Sequence, residues 1–288
     1  MKAGIVTCEK CPLLSDSEKS LIPLLAGVGV TATPLIWNDP AVHWAAFDAL
    51  IIRSIWDYHL YPDEFVQWLN YLEENKIRTL NPVGILRRNH HKFYLRDLEQ
   101  NGIRIIPTLF IEKTGVLKLP DGIIRDWQKA VIKPAVSASS YLTQVFSYAE
   151  ISNIEKDFRI AASQRDMLVQ QFIPDVQESG ELSMVFFNRV YSHAILKKPA
   201  AGEFRVQKEF GGKSSSFQPH QSIIDAGNKI LTQFDQELLY ARVDGLVIDG
   251  EFILMEVELI EPELFLDNHP EARKRFIEAV LQLAAFKG

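Results

Sequence analysis

Short apolar runs alternate with helical stripes along the first 88 residues. Ile5–Thr7 reads as a strand, and Ser17–Ala26 as a helix that Gly27 ends. Thr31–Pro34 predicts a second strand. Ala49–Arg53 predicts a third, a buried apolar run that closes on a charge. Pro62 opens a helix with Asp63 and Glu64 in its first turn, where their charges suit the helix dipole. Phe65, Leu69 and Leu72 follow at the spacing of one helix face. Strand–helix–strand alternation predicts a small parallel α/β layer over residues 1–88.

From residue 89 to 288 the alternation is looser, which predicts an α+β region. Asn89 is placed to cap a helix that Gly102 ends, and short strands follow at Arg104–Ile106 and Ala130–Lys133. Ser147 and Glu150 form a capping box before a helix running to about Ala162. Met167–Phe172 is strand-like, and Ser183–Phe187 with Val190–Leu196 predicts a hairpin about Asn188-Arg189. A helix fits Gln221–Phe234, strands fit Tyr240–Val247 and Glu251–Ile260, and a last helix runs from Pro270 to Phe286.

The two strands around Asp249-Gly250 carry the most chemistry. Side chains in a strand alternate faces, so Ile253, Met255, Val257 and Leu259 form one apolar set, with Val243 and Val247 on the facing strand. The opposite face holds Arg242, Asp244, Glu256 and Glu258. A two-residue turn would pair position 244 with 255 and turn Asp244 away. A three-residue loop, Ile248-Asp249-Gly250 with Gly250 left-handed, pairs 244 with 254 and makes Asp244 and Glu256 diagonal neighbours. That loop is the expectation. Carboxylates about 4 Å apart repel by about 4 kcal/mol at an effective dielectric near 20, so such a face calls for protons, arginines or metal. Hard oxygen ligands near phosphate suit Mg²⁺. An isolated E-x-E pattern is more often a solvated face, but the aspartate on the facing strand reverses that preference.

With 31 basic and 37 acidic residues the net charge is −6, which argues against a nucleic-acid footprint. No apolar run is long enough to span a bilayer, and Glu9 and Lys10 come too soon for a secretory signal. Cys8 and Cys11 are the two cysteines, and the simplest expected location is a reducing cytoplasm. Cys8-x-x-Cys11 follows a strand, as a redox pair would, yet a redox protein would leave the carboxylate face unexplained. His90-His91 reads as a surface or packing feature, because adjacent helical residues point apart.

On these residues the chain resembles the ATP-grasp superfamily. Asp244 and Glu256 match its acidic metal-binding strands; Glu258 stands where asparagine is usual, and Glu261-Pro262 where many members have a Pro-Gly turn. Lys92, in Asn89-His-His-Lys-Phe-Tyr-Leu, and Lys133, in Val131-Ile-Lys-Pro, resemble the two nucleotide lysines. Ser137, Ser139 and Ser140 lie in a segment similar to the phosphate-covering loop, here serine-rich rather than glycine-rich. Val169-Gln170-Gln171-Phe172-Ile173 resembles the adenine linker, and Glu178 a ribose-binding acid. Lys198-Pro-Ala-Ala-Gly-Glu-Phe-Arg205, then Gly211-Gly212, is especially similar to prokaryotic glutathione synthetases and the D-cycloserine-forming ligase, which implies nucleotide contacts from Lys198, Gly211 and Gly212; Arg53-Ser-Ile-Trp-Asp-Tyr58 is similar to cycloserine-ligase-like members.

The resemblance implies an ATP-grasp fold over residues 89–288 behind a Rossmann-like pre-ATP-grasp α/β domain. It implies ATP with Mg²⁺ or Mn²⁺ as cofactors, a small-molecule carboxylate and an amine as partners, and Arg205 and Arg242 as charge stabilisers of phosphoryl transfer. The expected reaction is ATP-dependent carboxylate–amine ligation through an acyl-phosphate, on an amino-acid-like or peptide-like molecule. The alternative is a small-molecule kinase or a non-catalytic ATP-binding protein. Neither nucleic acid nor membrane is an expected partner, and a homodimer is compatible with the sequence.

Overall fold

The computed structural model describes every residue except 116–117, 201–202, 204, 207–209 and 286–288. Ala201, Gly202 and Phe204 of the Arg205 segment, and the predicted helix end at Phe286, lie outside the described residues.

The first sheet is parallel, as the alternation predicts. It orders β1 (Lys2–Thr7), β2 (Thr31–Ile36), β3 (Ala49–Ser54) and β4 (Thr79–Leu80) as β2-β1-β3-β4. Strand periodicity divides its side chains between two cores. Val6, Leu50 and Ile52 pack with Trp37, Trp44 and the Phe65, Leu69 and Leu72 face of helix Pro62–Glu74. Ala3, Ile5, Ala49 and Ile51 face the other way, against Phe276, Ile277 and Val280 of the C-terminal helix Ala272–Ala285. Val185, Phe187 and Ile195 join that same cluster, so the first layer shares a core with later strands.

The second sheet is antiparallel: β5 (Thr108–Ile111), β6 (Lys129–Pro134), β7 (Gln144–Ser147) and β8 (Met167–Gln171), in the order β5-β8-β6-β7. The capping box of Ser147 and Glu150 forms and leads into helix Ile151–Gln164. The third sheet is also antiparallel. It orders β9 (Glu181–Phe187), β10 (Val190–Lys198), β11 (Lys213–Phe217), β12 (Tyr240–Ile248) and β13 (Glu251–Glu258) as β11-β10-β9-β12-β13. Asn188 and Arg189 make the predicted two-residue turn, both at positive φ.

Three local expectations are corrected. The helix read over Ser17–Ala26 is two, Asp16–Lys19 and Leu21–Gly27, the first started by a Ser15–Glu18 capping box. Asn89 ends helix Val83–Asn89 rather than capping the next one. Its buried amide instead donates to Val257 O at 2.8 Å and accepts from Leu259 N at 2.9 Å, satisfying a strand edge that a leucine there would orphan. Arg104–Ile106 contributes an isolated bridge, Ile105 to Leu254, and the strand itself lies beyond Pro107. Among the described residues no helix is long and apolar enough to cross a membrane.

Candidate active site

A cavity of about 880 Å³ is lined from all three layers: Trp56 and His59 from the first, Lys133 and Gln170 from the second, Arg242 and Glu256 from the third. Its acidic wall is the β12–β13 hairpin, reached by a different route from the one expected. Ile248 pairs with Glu251, so the turn is the two-residue Asp249-Gly250, with φ of 51° and 79°. Gly250 is left-handed as expected, but there is no three-residue loop. Gly245 pairs with Leu254 and Asp244 with Glu256, so Met255 is an extra bulged residue that shifts the register. The bulge brings Asp244 back to the face of Glu256, directly opposite rather than diagonal. At Gly245 an added Cβ would stand 2.3 Å from Ile253 O, so only glycine fits beside the bulge.

The bulge also reassigns the faces. Phe252, Leu254 and Val257 join Val243 in the core, while Ile253 and Met255 sit with Leu246 in an apolar cluster on the cavity side. Grouping Ile253 and Met255 with Val257 therefore does not hold, because alternation is reset at the extra residue.

Asp244, Glu256 and Glu258 share that face, but each turns to a cation. Arg242 grips Asp244 with Nε and Nη2, at 3.0 and 2.9 Å, and also pairs with Glu258. Lys92 Nζ donates to Glu256 at 2.5 Å and to Ser137 O at 2.8 Å. Ser183 donates to Asp244 at 2.5 Å. Among the described residues no three acidic, histidine or cysteine side chains converge as a ligand set, which corrects the expected convergence.

These pairings set the titration of the groups. Burial alone would raise Asp244, but Arg242 and Lys197 hold it down at about 2. Burial, with Asp244 and Glu256 adding to it, holds Glu258 up at about 7 against Arg242. Burial and then Glu258 push Glu261 up to about 8. Burial lowers Lys133, with Glu256 opposing, and among the described residues Lys133 has no ion-pair partner. It is a half-buried cation on the cavity wall.

Ser137, Ser139 and Ser140 line the cavity, the latter two at φ of 48° and 57°, the conformation in which glycine is ordinarily found. Gln170, Gln171, Phe172 and Ile173 line it too, and Gln170 donates to Thr108 at 2.9 Å. Arg205 is at the wall, ion-paired with Glu203 at 2.6 Å and stacked 3.6 Å above the Phe210 ring.

Four expected site residues lie off this wall. Glu178 is exposed on helix Asp175–Glu178, and Lys198 is exposed at the end of β10. Gly211 and Gly212 are off it as well, Gly211 lying against Ala200. The neighbouring Lys197 is the cavity lysine, pairing with Glu181 and lying 3.8 Å from Asp244. Strand parity from the Asn188-Arg189 turn alone would have set Lys197 opposite Gly180; a register shift between Tyr191 and His193 brings it opposite Glu181 instead. Trp56, His59, Tyr141 and Glu261 also line the cavity, and periodicity gave no signal for them. Cys8 and Cys11 lie outside it, with both thiols pushed up, chiefly by burial.

This arrangement, two antiparallel sheets enclosing a cavity with Lys133 on one and an acidic hairpin on the other, is the ATP-grasp fold. Residues 3–81 match the family model described as the N-terminal domain of D-cycloserine synthetase DcsG. The cycloserine biosynthesis protein DcsG of Streptomyces lavendulae is 27% identical over 273 residues, covering 88% of this chain and 89% of that protein. The crystal structure of D-cycloserine synthetase DcsG superposes with a TM-score of 0.87, at 23% identity over 99% of this chain and all of that one. D-alanine–D-alanine ligase from Bacillus anthracis gives 0.68 at 16% identity, with both chains fully covered. A RimK domain ATP-grasp protein from Sphaerobacter thermophilus also gives 0.68, at 14% identity over 97% of this chain and 99% of that one.

Proposed function

We propose that this chain is an ATP-dependent, ADP-forming carboxylate–amine ligase acting on a small amino-acid-like substrate. The observation that carries the reading is the single cavity wall on which Arg242, Asp244, Glu256 and Glu258 face Lys92 and Lys133. Residues 89–288 form the nucleotide-binding unit in this reading, and residues 1–88 close the substrate end. The likeness to DcsG and to D-alanine–D-alanine ligase supports the substrate class.

The adenine base has an apolar slot in Ile106, Ile173, Leu246 and Met255, beside the polar linker at Gln170 and Gln171. Lys133 and Lys92 face the phosphates, and the left-handed Ser139-Ser140 turn covers them. The substrate carboxylate oxygen attacks the γ-phosphorus and ADP leaves. The amine nitrogen then attacks the acyl carbon, phosphate departs with the C–O bond electrons, and the nitrogen loses a proton. Arg242 and Arg205 offset charge on the transferring phosphoryl group and on the tetrahedral adduct. No side-chain nucleophile takes part.

Asp244, Glu256 and Glu258 are hard oxygen donors of the right chemistry for Mg²⁺ or Mn²⁺, and in this reading they hold it. Such an ion would supply positive charge against the phosphates. Charge balance favours it. Among the described residues the cavity carries Glu181, Asp244, Glu256, Glu258, Glu261 and Glu263 against Lys10, Lys92, Lys133, Lys197, Arg205 and Arg242. The wall is formally neutral, so a polyphosphate has little net positive charge to meet without added cations.

The test is release of ADP and phosphate from ATP over a matrix of acids and amines. Release that needs both an acid and an amine is the expected result. Release with one hydroxylic acceptor alone would favour a kinase.

Arg205→Ala is expected to lower kcat by at least roughly 100-fold, the scale of losing one preorganised charge stabiliser. The Km for ATP should change far less, because the contact strengthens mainly during transfer. Steady-state kinetics at saturating substrates checks this, and wild-type turnover would remove Arg205 from the chemistry.

A further inference from the structure

The stretch Arg53-Ser-Ile-Trp56 takes no part in the nucleotide site, yet it reaches the cavity. Arg53 Nη2 donates to Pro262 O at 2.7 Å, and Trp56 Nε1 donates to Glu261 O at 3.1 Å. Arg242 Nη1 donates to Glu263 O at 3.1 Å. Three successive carbonyls are thus fixed by three side chains, two of them from the first layer. A backbone held this way leaves little freedom in where the Glu261 side chain points.

Glu261 lines the cavity, and its carboxylate has no hydrogen bond or ion pair among the described residues. Asp244, Glu256 and Glu258 differ in this, since each has its cation. His59, three residues on from Trp56, lines the same cavity; it is 9% exposed, and its Nδ1 is buried without a partner. Its ring centroid lies 4.9 Å from that of Tyr141 on the serine-rich loop. Burial lowers the His59 imidazole to about 4, so it is uncharged at neutral pH. Beside Trp56 the cavity therefore offers a carboxyl with no hydrogen-bond or ion-pair partner among the described residues, and its lining also includes a neutral imidazole and the ring of Tyr141. Burial and Glu258 favour the protonated Glu261 carboxyl while no cation pairs with it, and a compact organic ammonium would supply the cation that lets it ionise.

We propose that Glu261 binds the ammonium group of the substrate and makes the enzyme selective for a zwitterionic amino-acid-like acid over its hydroxy-acid counterpart. This assignment rests on the ligase reading. Trp56 and Arg53 act through Glu261 as positioning residues.

Hydroxylamine traps acyl-phosphates as hydroxamates whatever the natural amine, so the first half-reaction can be read alone. The probes are Mg-ATP, hydroxylamine and both enantiomers of the protein α-amino acids, each beside its hydroxy acid (lactate for alanine, glycerate for serine). The wild type should use at least one amino acid with a kcat/KM at least about 30-fold above that of its hydroxy acid, the scale of one charge-assisted contact. Glu261→Gln should bring that ratio to within about threefold, chiefly by raising KM for the amino acid, with KM for ATP unchanged. Trp56→Phe keeps an aromatic ring but loses the indole N–H that donates to the Glu261 carbonyl, so it should lower the same ratio by less.

An unchanged ratio in Glu261→Gln with wild-type circular dichroism overturns the assignment. So does a raised Mg²⁺ requirement with the preference intact, which would make Glu261 a metal ligand. Should Glu261→Gln fail to fold, an undiminished ratio in folded Trp56→Phe overturns it equally. If the wild type forms no hydroxamate from amino or hydroxy acids, the ligase reading fails and the assignment falls with it. If the wild type is active and only the ratio test fails, the ligase reading stands alone.

Discussion

Asp244→Asn is expected to lower kcat for ADP release by at least roughly 1,000-fold, with Glu256→Gln similar in direction. The substitution removes a charge while keeping the shape of the side chain. Its cost in stability should be small for so buried a group. Arg242 keeps Glu258 and Lys197 keeps Glu181, so neither cation is stranded. An asparagine oxygen can still accept from Ser183, which lies 2.5 Å from Asp244 Oδ1. What the variant loses is one hard anionic oxygen on the face where the proposed divalent ion sits. Two measurements separate this from general damage. Thermal unfolding should stay near wild type, and activity in both proteins should be tested against Mg²⁺ concentration. Wild-type turnover by Asp244→Asn, or by the unmodified enzyme in excess chelator, would end the metal assignment.

The route to Asp244 shows what a sequence reveals and what it hides. That Asp244 and Glu256 share a face was legible, because their separation from Asp249-Gly250 leaves few registers. The register chosen was wrong, and the two-residue turn that seemed to exclude the site is the one present. A bulge at Met255 supplies the extra residue instead. No local residue type announces that bulge; it follows from the close approach of Gly245 to Ile253 O, a contact between strands. The Asn188-Arg189 turn was legible because it lies between two strong apolar strands, but the register shift between Tyr191 and His193 that fixes which residues pair beyond it was not.

The cavity lysines divide in the same way. Lys92 and Lys133 sit in local patterns that mark them. Lys197 and Lys198 are adjacent and chemically alike, and only strand parity tells them apart. Residues of the substrate end were the least legible. Trp56 and Glu261 meet, and His59 reaches the same cavity, only because the first layer docks against the loop after β13. The Arg53–Tyr58 segment was noticed, but its role depends on partners about 200 residues away, with Trp56 and Glu261 separated by 205 positions. Periodicity carries no information at that range.

That long-range docking has its own energetic signature. Arg53→Met is expected to destabilise the fold by about 3–5 kcal/mol, the range for removing one partner of a buried ion pair. Arg53 is 2% exposed and lies 3.1 Å from Glu18, whose side chain is 4% exposed. Its guanidinium stands 4.7 Å over the Tyr240 ring, and it donates to Pro262 O. Tyr240 in turn donates its hydroxyl to Ile260 O at 2.8 Å and to Ile52 O. One cation therefore ties the first sheet, the third sheet and the segment after β13 together. Methionine would fill much of the volume but leave Glu18 buried with only its serine donors, Ser15 and Ser54. The double variant Arg53→Met/Glu18→Gln removes both charges and should recover more than half of the loss, because the stranded carboxylate is the main cost. Urea unfolding of the wild type, both single variants and the double variant gives the coupling directly. A single variant as stable as wild type would show that the pair does not hold the layers together. Additive losses in the double variant would place the cost in the packing over Tyr240 instead.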